Sequence, residues 1–255
     1  MNNHYFKIKE DLQNAGFKKG DNVLIHSSFK SLGYVEGGIA VLVDALLSVL
    51  GDSGTLVAPA FTYSSVTANS PVFNHSEMPS CVGAVSEFIR NMDVSKRSIN
   101  PTHSCSVIGA KCDEYVNGHE NDNTPVGVNS PIYKLYQDGG KILMLGCTLH
   151  SNSSMHGIEE HFPVPYIFDK TPEKYTMITE NKTYEIEYFR HYIAQNGYTC
   201  RFPRIEEILD GKDLYKASIH GADSFVIDSQ GLWKKSFEAL KKDPYFFVYP
   251  TPKNV

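Results

Sequence analysis

The sequence contains no apolar run that approaches the ~20 residues a membrane-spanning helix requires, so no membrane association is expected. Basic residues are not in excess either, because 24 lysines and arginines stand against 29 aspartates and glutamates, a net charge of -5. Without a basic stripe to neutralise a phosphate backbone, no nucleic-acid partner is expected. The first residues lack the charged and then apolar layout of a signal peptide, so we expect a cytoplasmic protein.

Cysteine is scarce, and its spacing forms no recognisable pattern. The five cysteines are odd in number and widely separated, with no C-x-x-C pair, and most have apolar or small neighbours. This usage favours free, buried thiols over a disulfide framework or a structural zinc site. They are Cys81, Cys105, Cys112, Cys147 and Cys200.

The first half of the chain alternates short apolar segments with helical patterns. Hydrophobic residues make up 41% of the 255 residues and charged residues 21%, which is the balance of an ordinary soluble domain. The clearest helix follows Gly37-Gly38 and stops at Gly51, and its apolar residues form a single stripe that faces the core. This order predicts a layered α/β domain with a parallel or mixed central sheet. The segments interpreted as strands are "NVLIHSS", "GTLVAPAFTY", "SCSVIGA" and "KILMLGC".

Two further helices and a β-rich end complete the predicted elements. The segment "VGAVSEFIRNM" predicts a helix over residues 82–92, and "NSPIYKLYQDGG" predicts one capped by Ser130 with Pro131 in its first turn. Residues 174–188 alternate around a polar turn and predict a β-hairpin, and a strand, a helix and a last strand follow it. No linker or internal repeat divides the chain, so we expect a single domain over residues 1–255.

The segment "HSNSSMHGIEEHF" holds three histidines and two adjacent glutamates, which suggests either a metal site or a proton-transferring pair. His156 and His161 are separated by five positions, which on a regular helix turns their side chains ~140° apart. That rotation disfavours a shared ion, so no metal is expected. An irregular site that includes His150 is kept as a remote alternative and would indicate a metal-dependent hydrolase.

His156 and Glu159 lie at i and i+3 and therefore project from the same face of a helix. A carboxylate in that position can hold an imidazole that removes a proton near neutral pH. The preceding "SNSS" offers hydroxyl and amide groups that could stabilise a developing oxyanion. The same spacing also fits a surface ion pair without any catalytic role.

The segment "HSSFKSLGYVEGG", residues 26–38, is a polar loop of small residues between a strand and the long helix. Its glycines and serines allow a ligand to approach the backbone, and Lys30 adds a positive charge that suits a phosphate. The loop matches neither G-x-G-x-x-G nor G-x-x-x-x-G-K-[ST], which excludes a standard nucleotide-binding motif. An ordinary strand-to-helix connection is the alternative interpretation.

Several separate segments, in order from about Leu12 to Glu160, closely resemble the aminoglycoside 3-N-acetyltransferases, whereas the resemblance is weak beyond Tyr166. It implies an acyl-CoA-dependent N-acyltransferase with a layered αβα fold and a mixed central sheet, unrelated to the GCN5-type fold. It also implies a coenzyme A-binding and catalytic core over residues 1–166 and an acceptor-side, β-rich elaboration over residues 167–255. The segments are "VLIHSSFKSLGYVEGGIAVLVDALLSVLGDSGTLVAPAFTY", "KRSINPTHSCSVIGA", "SPIYKLYQDGGKILMLGC" and "NSSMHGIEE".

The resemblance further implies roles for individual residues. The N-[ST]-[ST]-x-H-x-x-E motif of the family corresponds here to residues 152–159, so His156 is the expected general base, Glu159 orients its ring, and Ser154 stabilises the oxyanion. Acetyl-CoA or a longer acyl-CoA is the implied co-substrate, attacked directly by the amine. The residues expected to bind coenzyme A, the last three at its thioester end, are His26, Ser27, Ser28, Lys30, Leu32, Gly33, Thr102, His103 and Ser104.

The acceptor side departs from the family pattern. Asn100-Pro101 replaces a frequent His-Pro, and the acidic residues that suit a polycationic antibiotic have no clear counterpart. Arginines suit a phosphate-bearing acceptor, so a nucleotide-linked (dTDP) 3-amino-3,6-dideoxyhexose is the preferred acceptor and an aminoglycoside the alternative. A non-catalytic module that binds coenzyme A or a sugar nucleotide is a third interpretation, and a homo-oligomer is left open. The expected acceptor-binding residues are Tyr63, Asn69, Arg190, His191, Arg201 and Arg204.

Overall fold

The computed structural model describes residues 2–251. Its helices are α1 (Asn3–Asn14), α2 (Gly38–Leu50), α3 (Ala84–Arg90), α4 (Cys112–Val116), α5 (Pro131–Gln137), α6 (Met155–His161) and α7 (Ser229–Lys242). Its strands are β1 (Asn22–Ser27), β2 (Thr55–Pro59), β3 (Val72–Asn74), β4 (Lys96–Arg97), β5 (Cys105–Gly109), β6 (Lys141–Leu145), β7 (Glu173–Ile178), β8 (Thr183–Tyr188), β9 (Tyr198–Cys200), β10 (Leu214–Ile219), β11 (Ala222–Asp228) and β12 (Val248–Pro250).

Seven strands form the central sheet, in the order β10-β11-β6-β1-β2-β5-β4. The central strand β1 pairs in parallel with β2 and β6, while the outer pairs are antiparallel. The predicted mixed sheet is thus confirmed. Because β5 runs against β2, the start of β5 lies at the same edge as the carboxyl ends of β1, β2 and β6.

Helices cover both faces of this sheet. Successive residues of a strand point to opposite faces, and Val23 and Ile25 of β1 pack in one hydrophobic cluster with residues of α1, α2 and α3. Leu24 packs in the opposite cluster with Leu135 of α5 and Leu232 of α7. The burial of both faces produces the layered αβα arrangement predicted for the chain.

The helix signals in the sequence locate the helices well. The long helix ends at Leu50, and Gly51 adopts a positive φ of 61° beside its last turn, which glycine tolerates. Ser130 caps α5 by accepting a hydrogen bond from the backbone N–H of Tyr133 at 3.1 Å. The helix predicted over residues 82–92 is shorter in the structure, since Gly83 has φ of 113° and α3 begins only after it.

The C-terminal third contributes both to the central sheet and to smaller ones. The predicted hairpin is confirmed as the antiparallel pair of β7 and β8, which joins β3 in a sheet of three strands with its own buried cluster. Strands β10 and β11, in contrast, extend the central sheet beside β6. Between residues 2 and 251, no helix is long and apolar enough to cross a membrane.

Candidate active site

A cavity of about 660 Å³ opens at the edge of the central sheet where β1, β2 and β6 end and β5 begins. Carboxyl ends of neighbouring parallel strands are a frequent place for ligand sites, because the chain leaves the sheet there in diverging loops. The antiparallel β5 brings in the segment before it, since Cys105 pairs with Pro59 at the end of β2. A volume of this size accommodates a small-molecule substrate.

His156 lies in the wall of this cavity, in the first turn of α6. Its Nδ1 donates a hydrogen bond of 2.9 Å to Oε2 of Glu159, which is the contact that the i,i+3 spacing predicts. The Glu159 side chain is fully buried, and its Oε1 accepts a second bond of 2.7 Å from the Tyr166 hydroxyl. Two donors therefore fix the carboxylate, and the carboxylate in turn fixes the imidazole.

The packing of α6 holds this pair in place. Gly157 is buried next to His156 in the chain, where a Cβ would lie 2.8 Å from a methyl group of Val126 and 2.9 Å from the ring of Trp233. Only glycine allows the helix to approach Trp233 so closely. The absent side chain therefore helps to set the position of the neighbouring imidazole.

Ser154 precedes α6 and is buried, and its hydroxyl donates a 2.6 Å hydrogen bond to Oδ1 of Asn152. The neighbouring Ser153 contributes to the cavity lining, as do His150 and Ser151. The role of Ser154 in stabilising an oxyanion stays a prediction. Ser153, which belongs to the "SNSS" segment predicted for this role, is a second hydroxyl candidate.

Thr102 and His103 reach the cavity from the segment before β5. The hydroxyl of Thr102 lies 2.8 Å from Nδ1 of His103 and 2.7 Å from the hydroxyl of Tyr188. Oδ1 of Asn100 accepts from the backbone N–H groups of Thr102 and His103 and from Tyr188. Asn100, which replaces a frequent histidine of the family, thus organises this wall of the cavity.

His191 reaches the same cavity from the segment that follows β8. Its ring centroid lies 4.6 Å from that of His156 and 4.9 Å from that of His103. Its Nε2 lies 2.7 Å from Oε1 of Glu160, a buried carboxyl group on α6. Burial raises the pKa of Glu160 to about 7 and lowers the pKa of His191 well below its ordinary value.

The segment over residues 26–38, predicted to bind coenzyme A, begins in the last two residues of β1 and continues in the loop after it. His26 and Ser27 line the cavity, and Nε2 of His26 is buried without a hydrogen-bond partner among the described residues. Burial lowers the pKa of His26 to about 4, so the ring is neutral at pH 7. The residue borders the cavity, and a buried nitrogen without a partner calls for one, such as a group of a molecule bound there.

The remaining residues predicted to bind coenzyme A are not part of the cavity lining. Lys30 is exposed, Leu32 is buried in the core, and Gly33 adopts a positive φ of 69°. The hydroxyl of Ser28 accepts a 3.0 Å bond from Ser31. Ser104 is buried and donates to the carbonyl of Ala60.

Some of the residues predicted to bind the acceptor line the cavity, and the others lie outside its lining. Tyr63 and Arg190 line the cavity together with His191. Asn69 is exposed beside a small bridge between Thr67 and Ser70. Outside the lining, the guanidinium of Arg201 lies over the ring of Tyr249, and that of Arg204 over the ring of Phe246 while it pairs with Glu207.

Three cysteines were not expected at the cavity but line it: Cys81, Cys147 and Cys200. All five thiols are free, as predicted, but only Cys105 and Cys112 are buried, because the other three border the cavity and are partly exposed. Burial raises the pKa of Cys147 to about 11 and that of Cys200 to about 12. Both groups are therefore thiols rather than thiolates at neutral pH and are poor nucleophiles.

His161 does not converge with His156. Its ring stacks on Tyr133 at 4.2 Å between centroids, and its Nε2 donates to the carbonyl oxygen of Val126 at 3.0 Å. The five-residue spacing thus separates the two imidazoles, as expected. Within residues 2–251, no group of three or more histidine, cysteine, aspartate or glutamate side chains is arranged to hold a metal ion.

Known proteins match both the sequence and the fold. The family described as aminoglycoside 3-N-acetyltransferase matches residues 24–241. Aminoglycoside N(3)-acetyltransferase IV of Salmonella sp. is 28% identical to this chain, over 94% of it and 88% of the relative. The solved structure of an aminoglycoside acetyltransferase AAC(3)-IVa mutant in complex with a gentamicin has a TM-score of 0.81 at 25% identity, covering 96% of this chain and 91% of that one.

A second solved structure, AAC-IIIb in a binary complex with CoASH, has a TM-score of 0.79 at 22% identity and covers 97% of this chain and 98% of its own. The sequence match extends from β1 into α7, and the structural match spans nearly the whole chain. The chain therefore belongs to the aminoglycoside 3-N-acetyltransferase family and is an acyl-CoA-dependent N-acyltransferase.

Proposed function

We propose that this protein transfers an acetyl group from acetyl-CoA to the 3-amino group of an aminoglycoside. The observation that carries the proposal is the buried Glu159 that holds the cavity-lining His156, in a chain that belongs to this family. The relative from Salmonella sp. and the neighbour in complex with a gentamicin support an aminoglycoside acceptor. This support favours the aminoglycoside over the nucleotide-linked sugar that the sequence led us to prefer.

His156 acts as the proton acceptor. A carboxylate oxygen accepts hydrogen bonds, so the bond to Glu159 places the ring hydrogen on Nδ1 and leaves the lone pair on Nε2. His156 lines the cavity, so this nitrogen is available to an amine bound there. As the new C–N bond forms, the attacking nitrogen must lose a proton to become an amide, and Nε2 of His156 is placed to accept it.

Acetyl-CoA supplies the acetyl group as a thioester. His26, Ser27, Thr102 and His103 are the predicted coenzyme A residues that line the cavity, and the unpartnered Nε2 of His26 supports a bound molecule on that side. The neighbour with CoASH supports the same co-substrate. The high thiol pKa of Cys147 supports direct transfer without an acyl-cysteine.

We further propose that the whole chain works as one acyltransferase domain, with residues 167–255 on the acceptor side. Arg190, His191 and Phe202 support this division, because each belongs to that segment and lines the cavity. Tyr63 completes the proposed acceptor contacts within the lining. Asn69, Arg201 and Arg204 would have to act from outside it.

One observation favours a second candidate acceptor, a nucleotide-linked amino sugar. Among the described residues that line the cavity there is an arginine, Arg190, but no aspartate or glutamate. A polycationic antibiotic is best held by carboxylates, whereas a phosphate-bearing molecule is best held by a guanidinium group. The two acceptors thus differ in the sign of the charge that they bring to the cavity.

A thiol-release assay separates the two acceptors. Purified protein is incubated with acetyl-CoA or a longer acyl-CoA and with gentamicin, kanamycin or a dTDP-3-amino-3,6-dideoxyhexose. Turnover of an aminoglycoside with acetyl-CoA is expected. Turnover of the dTDP-linked sugar alone would overturn the aminoglycoside proposal and support the second candidate, and the His156→Ala variant serves as the control for enzyme-catalysed release.

A further inference from the structure

A second carboxyl–imidazole pair lies beside the first, with His191 in the cavity lining and Glu160 outside it. Nε2 of His191 lies 2.7 Å from Oε1 of Glu160, and the ring of His191 lies 4.6 Å from that of His156 between centroids. The side chain of Glu160 is 4% exposed and that of His191 10%, so both are shielded from bulk water. Because Nε2 is used for Glu160, the other ring nitrogen of His191, Nδ1, is the one left for a bound molecule.

N-acetylation of an ammonium group removes two protons from the same nitrogen, which gives a second proton acceptor a use in this site. An amino sugar carries its amine as an ammonium at neutral pH, and the nitrogen loses two protons on the way to the amide. One proton must leave before the new C–N bond can form, and the second leaves as the amide forms. When the C–S bond breaks, the departing sulfur needs one proton back, so one proton leaves the site in each turnover.

We infer that the His191–Glu160 pair is the second proton acceptor of this site. Nδ1 of His191 takes the first proton from the ammonium, and the Nε2 proton moves to Glu160. His156 then takes the second proton as the amide forms and returns it to the departing sulfur. The first proton is released to solvent after the product leaves, which restores the carboxylate of Glu160.

The groups around the pair determine whether Glu160 or His191 carries the proton. His103, His156 and Arg190 face His191, and burial together with the positive charge of Arg190 opposes a charge on its ring. Burial raises the pKa of Glu160 to about 7, although the backbone N–H of Val126 donates to it at 2.8 Å. Protonated Glu160 beside neutral His191 is thus the favoured form once a proton has arrived.

Other groups around the carboxyl are titratable as well. The groups that face Glu160, besides His191, are His156, His161, Tyr188 and Asp122. The two histidines lie on α6 itself and favour the carboxylate when they are charged. The negative charge of Asp122 disfavours the carboxylate form of Glu160, as burial also does.

The inference rests on the proposed transferase function, so its first test is independent of turnover. Histidine-selective ¹⁵N NMR of the free protein follows the two ring nitrogens of His191 across pH 5–9. In the wild type, the hydrogen is expected to move from Nε2 to Nδ1 as Glu160 is protonated near pH 7. In Glu160→Gln this tautomer change is expected to disappear, whereas the exposed Glu206→Gln control keeps it; an unchanged titration in Glu160→Gln overturns the inference.

The second test uses turnover of any acceptor that the wild type acetylates. Glu160→Gln is expected to lose kcat on the order of 10²-fold at pH 7, and its kcat–pH profile is expected to lose one ionisation on the acid side. Glu160→Asp keeps a titratable group and is expected to keep that ionisation. His191→Ala, if it folds, is expected to regain activity on addition of imidazole. A Glu160→Gln profile that retains every wild-type ionisation contradicts the inference, while an inactive wild type contradicts the proposed function instead.

Discussion

Replacement of Glu159 by glutamine removes the carboxylate that holds His156 but preserves the shape of the side chain. Glu159 accepts from Nδ1 of His156 at 2.9 Å and from the Tyr166 hydroxyl at 2.7 Å, and it is fully buried. An amide in its place can donate as well as accept, so the imidazole can carry its hydrogen on Nε2 instead of Nδ1. His156 would then present an N–H to the cavity rather than a lone pair.

The size of the expected loss in kcat follows from the contribution that a general base makes to the rate. Such a group contributes about 10²–10⁴ to the rate, so Glu159→Gln is expected to lower kcat by this factor, or roughly 3–5 kcal/mol in the barrier. Glu159 does not line the cavity, so the KM for the acceptor is expected to change by less than about threefold. The loss is thus expected in kcat rather than in binding.

Tyr166→Phe is the matched control. It removes one of the two donors to Glu159 but leaves the carboxylate on Nδ1 of His156, so a fall in kcat of less than about tenfold is expected. Both variants are assayed by thiol release under saturating acetyl-CoA, with circular dichroism to verify folding. Equal activity of folded Glu159→Gln and the wild type would refute the assignment of this carboxylate.

Three further outcomes are expected. Arg190→Glu should lower the KM for an aminoglycoside by on the order of tenfold, since a carboxylate at the cavity wall attracts a cationic acceptor that the guanidinium group repels; a higher KM would indicate an anionic acceptor. Gly157→Ala should cost about 1–3 kcal/mol of the free energy of unfolding, because its Cβ meets Trp233 at 2.9 Å, and an unchanged Tm would contradict this packing. The free energy of unfolding should fall below pH 6.5, by up to about 1.4 kcal/mol per pH unit for each histidine that is buried in neutral form. Burial lowers the pKa of His26 to about 4 and of His119 to about 3, so the unfolded chain binds more protons in this window; denaturant unfolding that is equally stable at pH 5 and pH 7 would contradict this sign.

Local signals in the sequence account for much of the fold. The apolar stripe and Gly51 define α2, and Ser130 defines the start of α5, because caps and periodicity act within a few residues. The contact between His156 and Glu159 follows from the i,i+3 spacing on a single helix. Each of these features depends on neighbours in the chain, which is why the sequence alone reveals it.

The partners that come from distant segments could not be found in this way. His191 approaches His156 only because the chain returns to the cavity after β8, and no periodicity records that path. The contact between Glu160 and His191 depends on the same return of the chain to the cavity. Strand β10 also escaped prediction, because it lies at the edge of the sheet, where a half-exposed strand shows only a weak apolar pattern.

The identity of the acetylated product tests the proposed function most directly. Purified protein is incubated with acetyl-CoA and gentamicin, and the product is examined by mass spectrometry and NMR. We expect a singly acetylated gentamicin with the acetyl group on its 3-amino nitrogen, formed at the rate of thiol release and absent with His156→Ala. Unmodified gentamicin after complete conversion of a dTDP-linked amino sugar under the same conditions would contradict it.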